Sequence, residues 1–236
     1  MEILEMILYP LFVLSMIFAL YAQIKVSSTF RKYSRVGASC GRSAAEIASM
    51  ILNENGISHV RIDRVPGNLT DHYDPSSDTL RLSDTVYSNC SAAAVGVAAH
   101  EAGHAIQHDV GYLPIKIRSA LVPVTNFASK FAWIAIILGS ILIGVAGIIG
   151  EYVLLFGIGL FACTTLFQLV TLPCEFDASA RAMHALRESG LYSRRELAQS
   201  REVLTAAALT YVAALFSSIV QLLRLIWIFN RNRNNR

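Results

Sequence analysis

The chain has 236 residues, of which 54% are hydrophobic and only 16% are charged. Soluble domains carry about 25% charged residues, so this composition indicates a membrane protein rather than a soluble globule with a large core. The formal net charge of +3, without long blocks of like charge, argues against a nucleic-acid binder. The four cysteines lie far apart with no C-x-x-C pair, and we interpret them as free thiols.

Four apolar runs are long enough to cross a bilayer, which takes about 20 residues. The first is predicted to be a retained anchor over residues 1–24, because it lacks the basic start and cleavage site of a signal peptide. The next two are predicted to form a transmembrane hairpin over residues 131–172 that turns at Gly150 to Tyr152. The fourth, within residues 206–236, is interrupted by Arg224 and other polar residues, and is predicted to be a transmembrane or interfacial helix with a basic tail.

The polar segment of residues 25–130 contains clear local signals for helices and strands. Ser43 and Glu46 form the pattern of a capping box, and Gly56 is placed to end the helix that follows. The alternating stretches HVRIDRV and TLRLS predict two short strands. Ser91 is a good N-cap for a helix through AAAVGVAAHEAGHAIQH, whose apolar part is too short to cross a bilayer.

Residues 113–130 and 173–205 complete the polar part of the chain. Pro114 and Pro123 predict that residues 113–130 form a broken linker lying at the membrane interface. The segment 173–205 is predicted to begin with a helix from about Glu175 to Arg187, before a second helix starts beyond Gly190.

The stretch HEAGH, at residues 100–104, has the spacing of a metal site on a helix. Residues four apart lie on one helix face, so His100 and His104 can hold one ion, as can His104 and His108. Only the first pair has a carboxylate, Glu101, beside its first histidine, where it can take a proton from water. The sequence therefore favours a site for one Zn²⁺ at His100 and His104, with Glu101 as the base.

A catalytic zinc needs a third protein ligand, and the sequence offers several. No third histidine follows in the pattern H-E-x-x-H-x-x-G-x-x-H, so the ligand must come from elsewhere in the chain. Glu175 and Asp177 follow the third apolar run and can return on a second helix. They point about 200° apart if both are helical, so one could ligate and the other support. The other candidates are His59, His72, His184 and Cys174.

Three motifs, AAHEAGHAIQH, LTDHYDPSSDTLRLS and LPCEFDASARA, resemble the YugP-like family of membrane-bound neutral zinc metallopeptidases. The resemblance covers about residues 30–205. The family is similar in outline to the larger gluzincin group, which includes two related kinds of membrane protease, the CAAX prenyl endopeptidases and the membrane heat-shock zinc proteases. The resemblance implies that His100, His104 and Glu175 are the zinc ligands and that Glu101 is the general base. In the related membrane proteases an aspartate follows the ligand glutamate by four residues, whereas this sequence has Ser179 there and Asp177 earlier.

The sequence thus predicts a mainly α membrane protein with about four transmembrane helices and a small α+β, zincin-like metalloprotease domain built from two polar segments. The predicted activity is zinc-dependent endopeptidase cleavage of membrane-associated proteins or peptides. The alternative is a membrane metal-binding or transport protein without protease activity. If TLRLS is an exposed edge strand, it could pair with an extended substrate. Candidates for supporting the site or contacting substrate are Asp177, His108, Tyr73, His72, His184 and Arg181.

The charge distribution predicts a multi-pass protein of the plasma membrane whose active site faces the cytoplasm. Flanking positive charge marks the cytoplasmic side of a membrane protein. The side that carries the HEAGH helix has the larger set of basic residues, while the basic C-terminal tail opposes this assignment if the fourth run spans. We expect contact with the lipid bilayer, and the prediction leaves room for a membrane partner subunit.

Overall fold

The computed structural model describes residues 2–234. Met1 of the predicted anchor and Arg236 of the basic tail lie outside these residues. The elements in chain order are helix α1 (Glu2–Tyr33), helix α2 (Ala44–Glu54), strands β1 (Arg61–Val65), β2 (His72–Asp74) and β3 (Thr79–Ser83), and helices α3 (Ala92–Asp109), α4 (Leu113–Ala146), α5 (Ile148–Glu188) and α6 (Arg194–Asn234).

Helices α1, α4, α5 and α6 are each long and apolar enough to cross a membrane. The predicted fold class, a mainly α membrane protein with about four such helices and a small sheet, is confirmed. The chain divides into two compact units. The spanning unit comprises residues up to 21, 117–171 and 211 onward, and the site-bearing unit comprises residues 22–116 and 172–210.

The site-bearing unit is built around α2, α3 and a three-stranded sheet. Helix α2 begins at the predicted capping box, in which Ser43 Oγ accepts from the Glu46 N–H and the Glu46 carboxylate accepts from the Ser43 N–H. Helix α3 begins at the predicted N-cap Ser91, whose side chain accepts from the Ala94 N–H. The core between these elements is fully buried and includes Ile47, Ile51, Leu80, Leu82 and Val95.

The sheet order is β1–β3–β2, with β1 parallel and β2 antiparallel to β3. TLRLS forms β3, the central strand, so the hypothesis that it is an exposed edge is wrong. Strand β2 was not predicted, because it has only three residues and the turn-forming residues around it indicate a loop. Tyr73 of β2 pairs with Leu80 of β3, which leaves β2 at an edge of the sheet.

Residues 113–130, predicted to form a broken linker at the membrane interface, are not broken but form the first part of α4. Pro114 is the second residue of this helix, where the missing N–H is not needed for an intrahelical hydrogen bond. Pro123 lies inside the helix and removes one such bond, but the helix continues through the long apolar run that follows. In the same way, Pro173 lies within α5, which joins the third apolar run to the predicted helix at Glu175.

The turn of the hairpin lies earlier than predicted. It is formed by Gly147, with a φ of +53°, and not by residues 150–152, which belong to α5. Gly150 permits close packing instead, because a Cβ there would collide with the backbone of Ile143 on α4. Close approach of helices at small residues is typical of membrane bundles. Many large apolar side chains of this unit are exposed, as expected of a lipid-facing surface.

Candidate metal centre

Close packing of α3 against α5 positions the candidate metal ligands. Gly103, in the middle of the HEAGH stretch, faces the backbone of Ala178 on α5. A Cβ at Gly103 would lie only 2.6 Å from the Ala178 carbonyl oxygen, so no larger residue fits without moving one helix. This contact lies one residue from His104 and three from Glu175, and brings the two ligand-bearing faces together.

Three predicted ligands, His100, His104 and Glu175, lie together in this packing. One potential ligand atom from each lies within 4.8 Å of the others. Glu175 Oε2 is 3.2 Å from His100 Nε2 and 3.6 Å from His104 Nε2. Glu175 is only 1% exposed, so its carboxylate is held away from bulk solvent. Two imidazole nitrogens and one carboxylate oxygen form a donor set that fits catalytic zinc, with a fourth position left for water or substrate.

The second ring nitrogen of each histidine is held by a side chain, which turns both Nε2 atoms toward Glu175. His100 Nδ1 lies 3.1 Å from Ser179 Oγ, and His104 Nδ1 lies 3.0 Å from Gln107 Oε1. Contacts of this kind select the tautomer and fix the ring of a metal-ligating histidine. Ser179, four residues after Glu175, is therefore the side chain that orients His100.

Gln107 is fully buried and connects His104 to α5. Its Nε2 donates to the Cys174 carbonyl oxygen at 2.7 Å and to Asp177 Oδ2 at 2.8 Å. With both amide hydrogens donated to acceptors, Oε1 is the atom left to accept the His104 Nδ1–H. His104 therefore presents the lone pair of Nε2 to the site.

Asp177 contacts this arrangement only indirectly. Its Oδ2 accepts from Gln107 and, at 2.6 Å, from Arg181 Nε. It does not belong to the group of three whose ligand atoms converge among the described residues. Its role in the structure is to fix the amide of Gln107, which in turn fixes His104.

Glu101, the predicted base, is held by strand β2. Its side chain is 8% exposed, and Oε2 accepts the backbone N–H of Tyr73 at 3.0 Å. The carboxyl of Asp71 is also near. The pKa of Asp71 is raised overall, because burial outweighs the hydrogen bonds from Ser83 that lower it. The charge of Glu101 raises it further. Strand β2 and the predicted general base Glu101 are therefore joined by a hydrogen bond.

The other predicted site residues are placed in two different regions. Tyr73 stacks against His108 with ring centroids 5.4 Å apart, and its hydroxyl donates to Asp78. The pKa of Tyr73 is raised, mainly by burial and next by the hydrogen bond to Asp78. His72 is exposed, and its Nδ1 is 2.8 Å from the Thr70 carbonyl oxygen.

Arg181 and His184 line a cavity of about 490 Å³ together with Glu54 and Ile106. None of these four residues belongs to the ligand group. His184 follows Glu175 by nine residues, which places it on the opposite side of α5. The structure thus does not bring His184 to the ligand cluster, whereas the backbone of Tyr73 contacts Glu101 and the ring of Tyr73 contacts His108.

Four candidate membrane spans and a cluster of two histidines and one glutamate fit the class of a membrane-bound zinc metallopeptidase, and comparison with known proteins agrees. Residues 8–230 match the model of a family described as "Putative neutral zinc metallopeptidase", and the chain belongs to this family. It is 46% identical over 214 residues, or 91% of its length, to the "Putative membrane protease YugP" of Bacillus subtilis (strain 168), of which 92% is covered. No solved structure shows a significant match to the chain.

Proposed function

We propose that the protein is an integral-membrane zinc endopeptidase that cleaves membrane-associated proteins or peptides, using one Zn²⁺. The observation that carries this proposal is the convergence of His100, His104 and Glu175 on one point, with Glu101 next to the first ligand. Membership of a zinc metallopeptidase family supports the choice of metal and of reaction.

The chemistry follows from the arrangement of the side chains. His100, His104 and Glu175 would hold the zinc ion, which would supply Lewis acidity toward a scissile carbonyl and its attacking water. Glu101, oriented by the Tyr73 N–H, accepts a proton from the attacking water and passes it to the leaving amine. Ser179 and Gln107 keep the two imidazoles in the orientation that the reaction requires.

Strand β2 is the most suitable place for an extended substrate. It is an edge strand of the sheet, and its Tyr73 N–H already points to Glu101. A peptide aligned along this edge would pass beside Glu101, near the paired rings of Tyr73 and His108. This assignment replaces TLRLS, whose two neighbours in the sheet occupy both of its edges.

The rival function is metal binding or transport without proteolysis. A transport path needs ionisable side chains along the spans, whereas the apolar runs 131–149 and 153–172 contain no His, Asp, Glu, Lys or Arg. The ligand cluster also lies beside a buried carboxylate that a purely structural zinc site would not need.

Digestion of peptides blocked at both ends tests the endopeptidase proposal. We expect the purified full-length protein to cleave internal bonds of such peptides, to lose this activity when a chelator removes zinc, and to recover it when zinc is returned. Cleavage only of peptides with a free terminus would indicate an exopeptidase. Reversible metal binding without any cleavage would favour the rival function.

We further propose that the protein lies in the plasma membrane with its site toward the cytoplasm. The side that carries the site has the larger set of basic residues near the predicted spans, and the opposite side has Arg231 and Arg233. The favoured set comprises Lys25, Arg31, Lys32, Arg35, Arg42, Lys116, Arg118 and Lys130.

Cys40 and Cys90 are free and partly exposed, so they report the orientation of the site-bearing unit. We expect neither thiol to react with a membrane-impermeant maleimide in intact cells, and both to react after permeabilisation. Labelling of either thiol in intact cells would reverse the assignment.

A further inference from the structure

The spanning unit contains a cavity of about 490 Å³ between α1, α4, α5 and α6. This volume lies in the range of small-ligand pockets, about 300–1,000 Å³. Much of the wall is apolar, but five polar side chains also line it: Ser140, Ser217, Ser218, Gln221 and Arg224. None of them belongs to the metal centre, so this cavity needs an explanation of its own.

Arg224 is the one charged residue among those that line the cavity. Its guanidinium carbon lies 5.0 Å and 4.6 Å from the ring centroids of Tyr9 and Phe12. Its Nη1 reaches Gln221 Oε1 only at 3.5 Å, and its buried Nε–H has no hydrogen-bond partner. No carboxylate pairs with Arg224 within the described part of the chain.

Apart from the long contact with Gln221, Arg224 has no hydrogen-bond acceptor among the described residues, and its Nε–H has none. Charged side chains within membrane segments are costly and normally have a partner, and buried polar atoms normally have a hydrogen bond. Ser140 and Ser217 do not compete for an acceptor, because they donate their hydroxyl hydrogens to the carbonyls of Ile136 and Ser15. The cavity therefore offers a cation with a free donor beside apolar walls.

We propose that this cavity binds an acidic phospholipid, whose phosphate accepts from Arg224 and whose acyl chain lies partly against Phe12, Trp133 and Leu154. The planar guanidinium matches the geometry of phosphate oxygens, and the apolar wall matches a hydrocarbon chain. Helix α6 continues from Arg224 to Arg231 and Arg233, and basic residues at the end of a span attract acidic headgroups. Arg224 lies about 10 Å along the helix from Arg231, within reach of a headgroup.

Quenching of tryptophan fluorescence by brominated lipid tests this proposal directly. The chain has two tryptophans, and Trp133 lines the cavity, so a Trp227→Phe background leaves Trp133 as the reporter. The full-length protein is placed in phosphatidylcholine nanodiscs with increasing fractions of dibrominated phosphatidylglycerol, dibrominated phosphatidylcholine or a brominated fatty acid. We expect phosphatidylglycerol to half-saturate quenching at a fraction about five- to tenfold lower than phosphatidylcholine.

The matched variants separate a specific site from general attraction to positive charge. Arg224→Gln is expected to abolish the preference for phosphatidylglycerol, and Arg233→Gln, which removes one charge from an exposed position on the same helix, to keep it. Equal quenching by the two phospholipids in the protein with native Arg224 overturns the proposal, whatever the variants do. Stronger quenching by the fatty acid than by phosphatidylglycerol overturns the assignment of a phosphate ligand.

Discussion

Glu101→Gln should leave zinc bound at full occupancy while peptide hydrolysis falls by about 10²- to 10⁴-fold, the usual contribution of a general acid–base group. The three ligands are untouched by this change, and glutamine keeps an oxygen that can accept the Tyr73 N–H. What it loses is the capacity to take a proton from water. Metal content by mass spectrometry and initial rates on a blocked peptide measure the two effects separately.

Glu54→Gln is the matched control, because Glu54 is an exposed glutamate of the same unit on α2. Its activity and zinc content should equal those of the unmodified protein. Full activity in Glu101→Gln would show that another group is the base. Loss of zinc in that variant would show instead that Glu101 belongs to the ligand set.

Glu175→Ala should purify nearly free of zinc under conditions in which Asp177→Ala still holds it. Glu175 contributes one of three protein ligands and lies within 3.2 Å and 3.6 Å of the two histidine Nε2 atoms. Asp177 acts on His104 only through Gln107. Loss of a supporting contact typically weakens metal affinity by about 10- to 100-fold, so Asp177→Ala should be depleted only by a strong chelator.

Zinc dissociation constants of the purified variants, measured by competition with a chelating dye, check this order. Glu188→Ala, which changes an exposed glutamate on the same helix, should bind zinc as the unmodified protein does. If Asp177→Ala were metal-free and Glu175→Ala loaded, the assignment of the third ligand would be wrong, although a peptidase with different ligands would remain tenable.

Local signals explain why much of the fold could be predicted from the sequence. Ser43, Glu46 and Ser91 act within one helical turn, so the starts of α2 and α3 did not depend on distant residues. The hairpin turn was misplaced because apolar residues lie on both sides of Gly147, and hydropathy does not distinguish a turn from a helix there. The prediction that the prolines of α4 break the helix was wrong. Pro114 lies in the first turn, and the helix continues past Pro123 into the long apolar run.

Some residues of the candidate site could likewise be predicted from local sequence patterns, whereas others depend on contacts between distant residues. The i, i+4 spacing selected His100 and His104, and the chain's return after the third apolar run pointed to Glu175 or Asp177. Which of these two acids faces the histidines depends on how α5 packs against Gly103, and no local sequence pattern encodes that packing. Gln107 was overlooked for a similar reason. Its position three residues after His104 allows the contact, but its partners Cys174 and Asp177 are distant in sequence.

Titration of the zinc-depleted full-length protein with Zn²⁺, with peptide hydrolysis and bound metal followed together, tests the central claim most directly. One zinc held by His100, His104 and Glu175 predicts that activity rises in proportion to bound metal and reaches its maximum at one ion per chain. Hydrolysis that persists without metal, or that begins only after a second ion binds, would contradict a single-zinc peptidase at this site.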